Sequence, residues 1–331
     1  MSLPEPEPIL DLIEAFRRSK TMFAATAMGL FDRLAEGPAD AAALAGEGNS
    51  GAMERLLDAC VSLGLLKKSG TLYRNSRLAD VYLRRDSPHS LAGYVLYSNE
   101  ALFRLWSHLE DAVREGSHRW RQAFGEREDL FSHFYRTPEA QRDFLMGMHG
   151  LGLISSPKVV AAFDLGGFER LVDLGGATGH LAAAARRRYP GMRAAVFDLP
   201  GVMEFARREG TAPGVDLIDG DFFRDPLPPA DLYALGRILH DWGDRKIRGL
   251  LGRIHAALPA GGGLLIAETL LRDDHRGRVS AHMQSLNMLV CTEGRERSLA
   301  EYRALLEAAG FCDVEGRRTG APLDAILARK R

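Results

Sequence analysis

Four short stretches of this 331-residue chain bring together residue types that can do chemistry. In D-L-G-G-A-T-G, Asp173 closes the apolar run Leu171–Val172, and glycines follow at 175, 176 and 179 ahead of the helical pattern His180–Arg188. Twenty-five residues after Asp173, the apolar run Ala194–Phe197 ends in a second acid, Asp198. G-D-F-F then sets Asp221 beside Phe222, and R-I-L-H-D-W carries His240. Glycines let a backbone approach a ligand closely, and acids at strand tips accept hydrogen bonds from ribose hydroxyls. Asp221 can accept from an adenine amino group beside the Phe222 ring. These features point to a nucleoside cofactor. The loop is not the G-x-G-x-x-G of a dinucleotide site, and an acid directly before the glycines repels a pyrophosphate. It suits a ligand carrying an amine and a sulfonium.

The elements that must position these groups follow from periodicity. From residue 165 the chain alternates strand and helix: 171–173, 180–189, 194–198, 201–208, 215–218, 231–239, 244–258, 263–269, 298–309 and a C-terminal run at 323–328. Such alternation predicts an α/β fold, a mostly parallel sheet closed by an antiparallel C-terminal hairpin. Right-handed crossovers then bring Asp173, Asp198, Asp221 and His240 to one edge. Before it, residues 1–88 read as a winged-helix-like unit. Helical patterns cover Ile9–Phe16, Thr21–Leu34, Ala41–Glu47 and Ala52–Leu63, with Asn49 or Ser50 as a cap, and a hairpin turns at Ser69–Gly70. Residues 89–163 read as a helical linker that adds substrate wall and dimer contacts, rich in aromatics that include Phe131 and Phe134. Residues 164–331 form the cofactor-binding domain.

Composition narrows the classes. A net charge of −1 offers no electrostatic case for nucleic acid or an anionic membrane. The helix that a winged-helix module would use for DNA carries one arginine and two acids, so dimerisation is its expected role. Cys60, Cys291 and Cys312 fit neither a disulfide framework nor a zinc site. No apolar run nears the ~20 residues of a membrane span, and the proline-rich, acidic start is no secretory signal. A cytoplasmic protein is expected. No His/Asp/Glu cluster at ligand spacing argues for a metal.

D-L-G-G-A-T-G, F-D-L-P, G-D-F-F, R-I-L-H-D-W, P-A-G-G-G-L-L-I-A-E and T-E-G-R-E-R-S, in that order, resemble the serial motifs of the S-adenosylmethionine-dependent O-methyltransferases that act on small aromatic hydroxyls. Within that family the chain is most similar to the hydroxyindole (acetylserotonin) branch, over about 280 residues. The resemblance implies a class I Rossmann-like domain behind a winged-helix dimerisation domain, and a homodimer. It assigns Gly175 and Asp173 to the methionine end of the cofactor, Asp198 to the ribose, and Asp221 and Phe222 to the adenine. Arg237 and Tyr135 lie beside the cofactor. His240 is the base, bracketed by Glu268 and Glu296, while Asp241, Asn287 and Cys291 occupy acceptor-side positions. The chemistry agrees. A phenol with a pKa near ~10 stays protonated at neutral pH, and a histidine near ~6.5 can take its proton. A carboxylate on the other ring nitrogen orients the imidazole.

Each residue has a plainer reading. His240 at a strand end can be structural. Glu268 ends a buried strand and needs a partner, and Glu296 sits in a charged run that reads as a solvated loop. Arg237 can pair with a structural acid, Asp241 can cap the following helix, and Asn287 is a buried amide in need of partners. Three departures from the family pattern stand out: Ala177 for the third glycine, Gly152 where the branch carries a tryptophan, and Cys291 for a glutamine. The last two predict a roomier, less polar acceptor wall, suited to a bulkier or less polar phenol. A nicotinamide oxidoreductase and a non-catalytic, cofactor-binding winged-helix regulator are the competing readings.

Overall fold

The computed structural model describes residues 3–125 and 135–331, and Tyr135 is therefore described while Phe131 and Phe134 lie outside the described residues. Two compact units are present, Met1–Arg104 with Glu139–Gly150, and Leu105–Pro138 with Leu151–Arg331. In the first, helix Glu7–Ala27 starts at Pro6, whose fixed φ suits a helix start, and runs unbroken through the polar stretch Arg17–Lys20. The two helical patterns expected there are one helix, because arginine, lysine and serine interrupt the apolar stripe without opposing the backbone. The break falls at Gly29, φ +66°, before helix Leu30–Arg33. Asp40 caps Ala41–Ala45 through the Ala43 amide, and Asn49 caps Ser50–Ser62 through Ala52. Strands β1 (Leu66–Ser69) and β2 (Leu72–Asn75) then pair antiparallel. Leu30, Phe31, Leu57, Cys60 and Tyr73 build the core, while Ile9, Leu10, Leu12, Ile13 and Phe16 remain exposed on the long helix.

The interval 89–163 does not form a unit of its own. Residues 139–150 of helix Pro138–Val160 belong with the first unit. Glycines explain how: a Cβ on Gly147 would lie 2.6 Å from the Tyr94 nitrogen, and one on Gly93 2.8 Å from the Gly147 nitrogen. Backbones meet there with no room for side chains.

The second unit is built on a seven-stranded sheet. In chain order its strands are β3 (Arg170–Leu174), β4 (Arg193–Asp198), β5 (Asp216–Asp219), β6 (Leu232–Gly236), β7 (Gly263–Glu268), β8 (Cys312–Arg317) and β9 (Asp324–Arg329). They lie in the order β5-β4-β3-β6-β7-β9-β8, parallel except for β9 and β8. This is the class I methyltransferase fold. β3, β4, β6 and β7 are buried along nearly their whole length, as strands covered on both faces must be. The order of β3 between β4 and β6 makes a topological switch point at the carboxyl ends, where ligands bind in such sheets. Two expectations need correction. β6 stops at Gly236 rather than 239, and helix Val279–Cys291 lies where no helix was expected. No described helix is long and apolar enough to cross a membrane.

Candidate active site

The turn after β3 is shaped by residues that leave room for one another. Gly175 (φ +70°), Ala177 (φ +48°) and Gly179 (φ +73°) take left-handed conformations, the alanine at a steric cost of about 1–2 kcal/mol. A Cβ on Gly175 would lie 2.5 Å from Ile238 and 3.1 Å from the Phe222 ring, and one on Gly176 2.5 Å from the Asp173 carboxyl carbon. The loop thus folds over Asp173 and against Phe222. Asp173 is buried, and neither carboxylate oxygen has a hydrogen-bond partner among the described residues. Burial, then repulsion from Asp198, pushes its pKa up to about 8. Asp198 is half-buried. It accepts from the Ala177 amide at 2.9 Å and the Leu199 amide at 2.7 Å, bonds that only partly offset the burial raising it to about 6. Tyr135 stands near enough that, after burial, the charge of Asp198 further raises its phenol. Asp221 Oδ1 accepts from the Phe223 amide at 2.8 Å and so braces its own turn.

His240 lies beyond β6 on the short 3-10 turn Leu239–Asp241, not in a strand. Arg237, at φ +56°, turns the chain out of the sheet, and its buried Nε has no partner among the described residues. Glu268, the last residue of β7, accepts at Oε1 from the amides of Ile238 (3.0 Å), Leu239 (2.9 Å) and His240 (3.4 Å). One carboxylate oxygen therefore collects the free amides that open the turn. Its other oxygen lies 3.3 Å from His240 Nδ1, and Glu296 Oε1 lies 2.8 Å from the same nitrogen. Asp241 stands 3.6 Å from Nε2 on the opposite side of the ring. Glu296, expected in a solvated loop, is buried completely, as is Glu268. Burial disfavours the imidazolium, but Glu268, Glu296 and Asp241 together outweigh it and raise His240 to about 10. Burial raises Asp241 to about 6 and Glu268 to about 7, with His240 pulling both back.

Donor atoms of His240, Glu268 and Glu296 all lie within 4.8 Å of one another. The sequence reading found no cluster at metal-ligand spacing; the fold assembles one from residues 28 and 56 positions apart. The Nδ1–Glu296 hydrogen bond and the three amides on Glu268 account for this trio by proton sharing and turn capping.

On the expected acceptor side, Trp106 Nε1 donates to Asn287 Oδ1 at 2.9 Å, and Cys291 Sγ donates to the same oxygen at 3.7 Å. An indole N–H can only donate, so this contact fixes the amide orientation and turns the Asn287 NH2 away from Trp106. Nothing in the local sequence sets Trp106 apart from the other aromatics of residues 89–163. The expectation of a void at Gly152 is corrected. A Cβ there would fall onto Cγ, Cδ2 and Nε2 of His180, so the imidazole of His180 lies face-on against the glycine. Ser156 Oγ holds that ring at Nδ1, 2.8 Å away. The space is filled by an imidazole rather than vacated.

Residues 106–312 match the O-methyltransferase domain family, and residues 10–85 match the O-methyltransferase dimerisation domain. Acetylserotonin O-methyltransferase of Bos taurus is 47% identical over 327 residues, covering 95% of each chain. The crystal structure of human N-acetylserotonin methyltransferase in complex with SAM is similar at TM-score 0.93 and 42% identity, covering 99% of each chain. The mitomycin 7-O-methyltransferase MmcR is similar at TM-score 0.86 and 29% identity, over 98% of this chain and 97% of that one.

Proposed function

The chain belongs to the O-methyltransferase family with a dimerisation domain, and from that premise we propose that it methylates a hydroxyl of a small aromatic acceptor, phenolic or hydroxyindole-like, with His240 as the base. It is an S-adenosylmethionine-dependent O-methyltransferase. The observation that carries the acceptor chemistry is a buried imidazole with Nδ1 tied to Glu296 at 2.8 Å, while the Asp241 carboxylate stands off at 3.6 Å from Nε2.

The residues at the glycine loop fit the cofactor: an orphaned buried carboxylate at Asp173 for its amine, and Asp198 for its ribose hydroxyls. Asp221 and Phe222 would hold the adenine, with Tyr135 and Arg237 alongside. When bound, the cofactor supplies a methyl group on a positively charged sulfur, already activated for transfer. This chain's residues must therefore align and deprotonate the acceptor oxygen. Glu296 keeps a proton on Nδ1, so that the neutral imidazole presents its Nε2 lone pair to the acceptor O–H. The imidazolium that forms is stabilised by both glutamates. Positioned base catalysis of this kind contributes roughly 10²–10⁴-fold. Glu268, Glu296 and Asp241 keep His240 charged at neutral pH. Activity therefore draws on the neutral fraction and rises with pH. Asp241 and the Asn287 NH2 would contact the acceptor. The exposed apolar residues of helix Glu7–Ala27 fit a second copy of the chain, which light scattering of a Phe16→Asp variant checks by its loss of dimer.

Labelled methyl transfer to a panel of phenols and hydroxyindoles tests the function. His240→Gln is expected to bind S-adenosylhomocysteine normally while transfer falls at least ~10²-fold. Undiminished transfer by that variant would overturn the role of His240. Tight cofactor binding by the wild type without turnover on any hydroxyl would favour a regulatory protein instead.

A further inference from the structure

Arg297 follows Glu296 in the charged run, and it too is buried, at 1% exposure. Its guanidinium makes four bonds. Nη1 donates to the carbonyls of Leu239 (3.3 Å) and Arg295 (3.1 Å), and Nη2 donates to the Trp242 carbonyl (3.2 Å) and Asp244 Oδ1 (2.8 Å). Leu239 and Trp242 flank His240 and Asp241, so one planar fork spans the turn that carries the imidazole. Two neighbours tie the same loop to the same turn. The Gly243 amide donates to Glu293 at 3.1 Å. Gly294 packs so closely that a Cβ would lie 2.6 Å from the Asp241 carbonyl carbon and nearer still to the His240 carbonyl oxygen. Glu296 is thus held between Gly294 and Arg297, and its carboxylate arrives 2.8 Å from His240 Nδ1.

We propose that Arg297 is a positioning residue for the base: by clamping loop 292–298 to the 239–242 turn it sets the contact between Glu296 and His240. The proposal rests on His240 serving as the base. A buried arginine bonded through both Nη atoms is a costly way to stabilise a loop, since an apolar group of similar volume often does as well. Its planar fork supplies what an apolar group lacks, a fixed direction and distance to two carbonyls on either side of the histidine. The charged groups facing His240 are Glu268 from the end of β7, Glu296 from the loop and Asp241 from its own turn, with Arg237 acting on Glu268 and Asp241. Tyr302, of helix Leu299–Ala308, is buried near Glu268 and Glu296. Withdrawing Glu296 removes one of three anions, so the imidazolium becomes less stable and Nδ1 loses its nearest partner.

The test compares Arg297→Met, Arg297→Lys, Glu296→Gln and the Arg297→Met/Glu296→Gln double variant in the full-length protein. The readouts are kcat, the pH profile of kcat/KM and affinity for S-adenosylhomocysteine. Arg297→Met is expected to lower kcat about 10–100-fold, as loss of a group that orients an active-site ligand does. Its acid limb should move to lower pH in the same direction as that of Glu296→Gln, with S-adenosylhomocysteine affinity kept within about twofold. Arg297→Lys should recover part of the loss, and the double variant should be no worse than Glu296→Gln alone. A lowered kcat with an unmoved pH profile, or losses that multiply in the double variant, would overturn the proposal. Should Arg297→Met fail to fold, Asp244→Ala removes one of the four bonds from the more exposed side, and a smaller shift in the same direction is required. Retained transfer by His240→Gln would defeat the base assignment itself, whatever the arginine variants do.

Discussion

Binding of S-adenosylhomocysteine at pH 7 will expel a proton from the protein, and Asp173 is its source. The carboxyl is buried without a hydrogen-bond partner among the described residues, and burial together with Asp198 raises it to about 8. A group with that value is about 90% protonated at pH 7. The amino-acid end of the ligand brings an ammonium, which pairs with the carboxylate and not with the acid. An opposite charge at contact distance lowers a carboxyl by about 1–3 units, so about 0.4–0.9 of a proton leaves per ligand bound. S-adenosylhomocysteine carries a neutral sulfur, which leaves His240 largely undisturbed and isolates the Asp173 contribution. Calorimetric titration at pH 7 in buffers of different ionisation enthalpy reads the number directly as the slope of observed against buffer enthalpy. At pH 9, where Asp173 is already ionised, the release should shrink to about 0.1 or less. Asp173→Asn should bind more weakly and release almost nothing at either pH. A zero slope or proton uptake at pH 7 would refute this reasoning, as would an undiminished release by Asp173→Asn.

Three further outcomes are expected. Ala177→Gly relieves a left-handed alanine but adds unfolded-state entropy, for a net gain of up to ~1 kcal/mol in thermal stability; a loss of that size would show that the Ala177 methyl packs against something. Stability without cofactor should fall as pH rises from about 5 to 9. Asp173, Asp198, Asp241 and Glu268 are all raised, so the folded state holds protons the unfolded chain has lost; His240 adds stability present below ~6.5 that disappears as pH passes through about 10. Melting curves across that range check the sign, and a midpoint that climbs with pH contradicts it. Gly152→Ala should cost about 1–3 kcal/mol by displacing the His180 ring, and His180→Ala should relieve most of that cost. Denaturant unfolding of the two single variants and the double would show simple additivity if the ring does not fill that space.

Much of the second unit was legible because its rules act over short distances. Runs such as Leu171–Val172 and Gly263–Ile266 alternate with helices whose period and caps are local, and the observed β3, β4, β7 and β9 fall within a residue or two of expectation. The same local reading over-extended β6, since Ile238 and Leu239 are apolar enough to continue a strand. The chain leaves the sheet there because Arg237 turns it and Glu268, 30 residues away, captures the next amides. Helix Val279–Cys291 escaped because its apolar residues lie all round rather than in one stripe.

At the site, the chemistry of each motif could be read from residue types, as an acid before glycines or an imidazole before an acid. Their meeting could not. A charged stretch such as E-G-R-E-R reads as solvent-facing until another loop is found to cover it. Glu296 and Arg297 lose their water because Gly294 lacks the one atom that would hold the His240 turn away. Likewise, the absence of a side chain at 152 looked like empty space until the ring of His180 was seen lying against it. Periodicity and capping operate within a few bonds along the backbone, whereas desolvation and close contact depend on which distant segments fold back on one another.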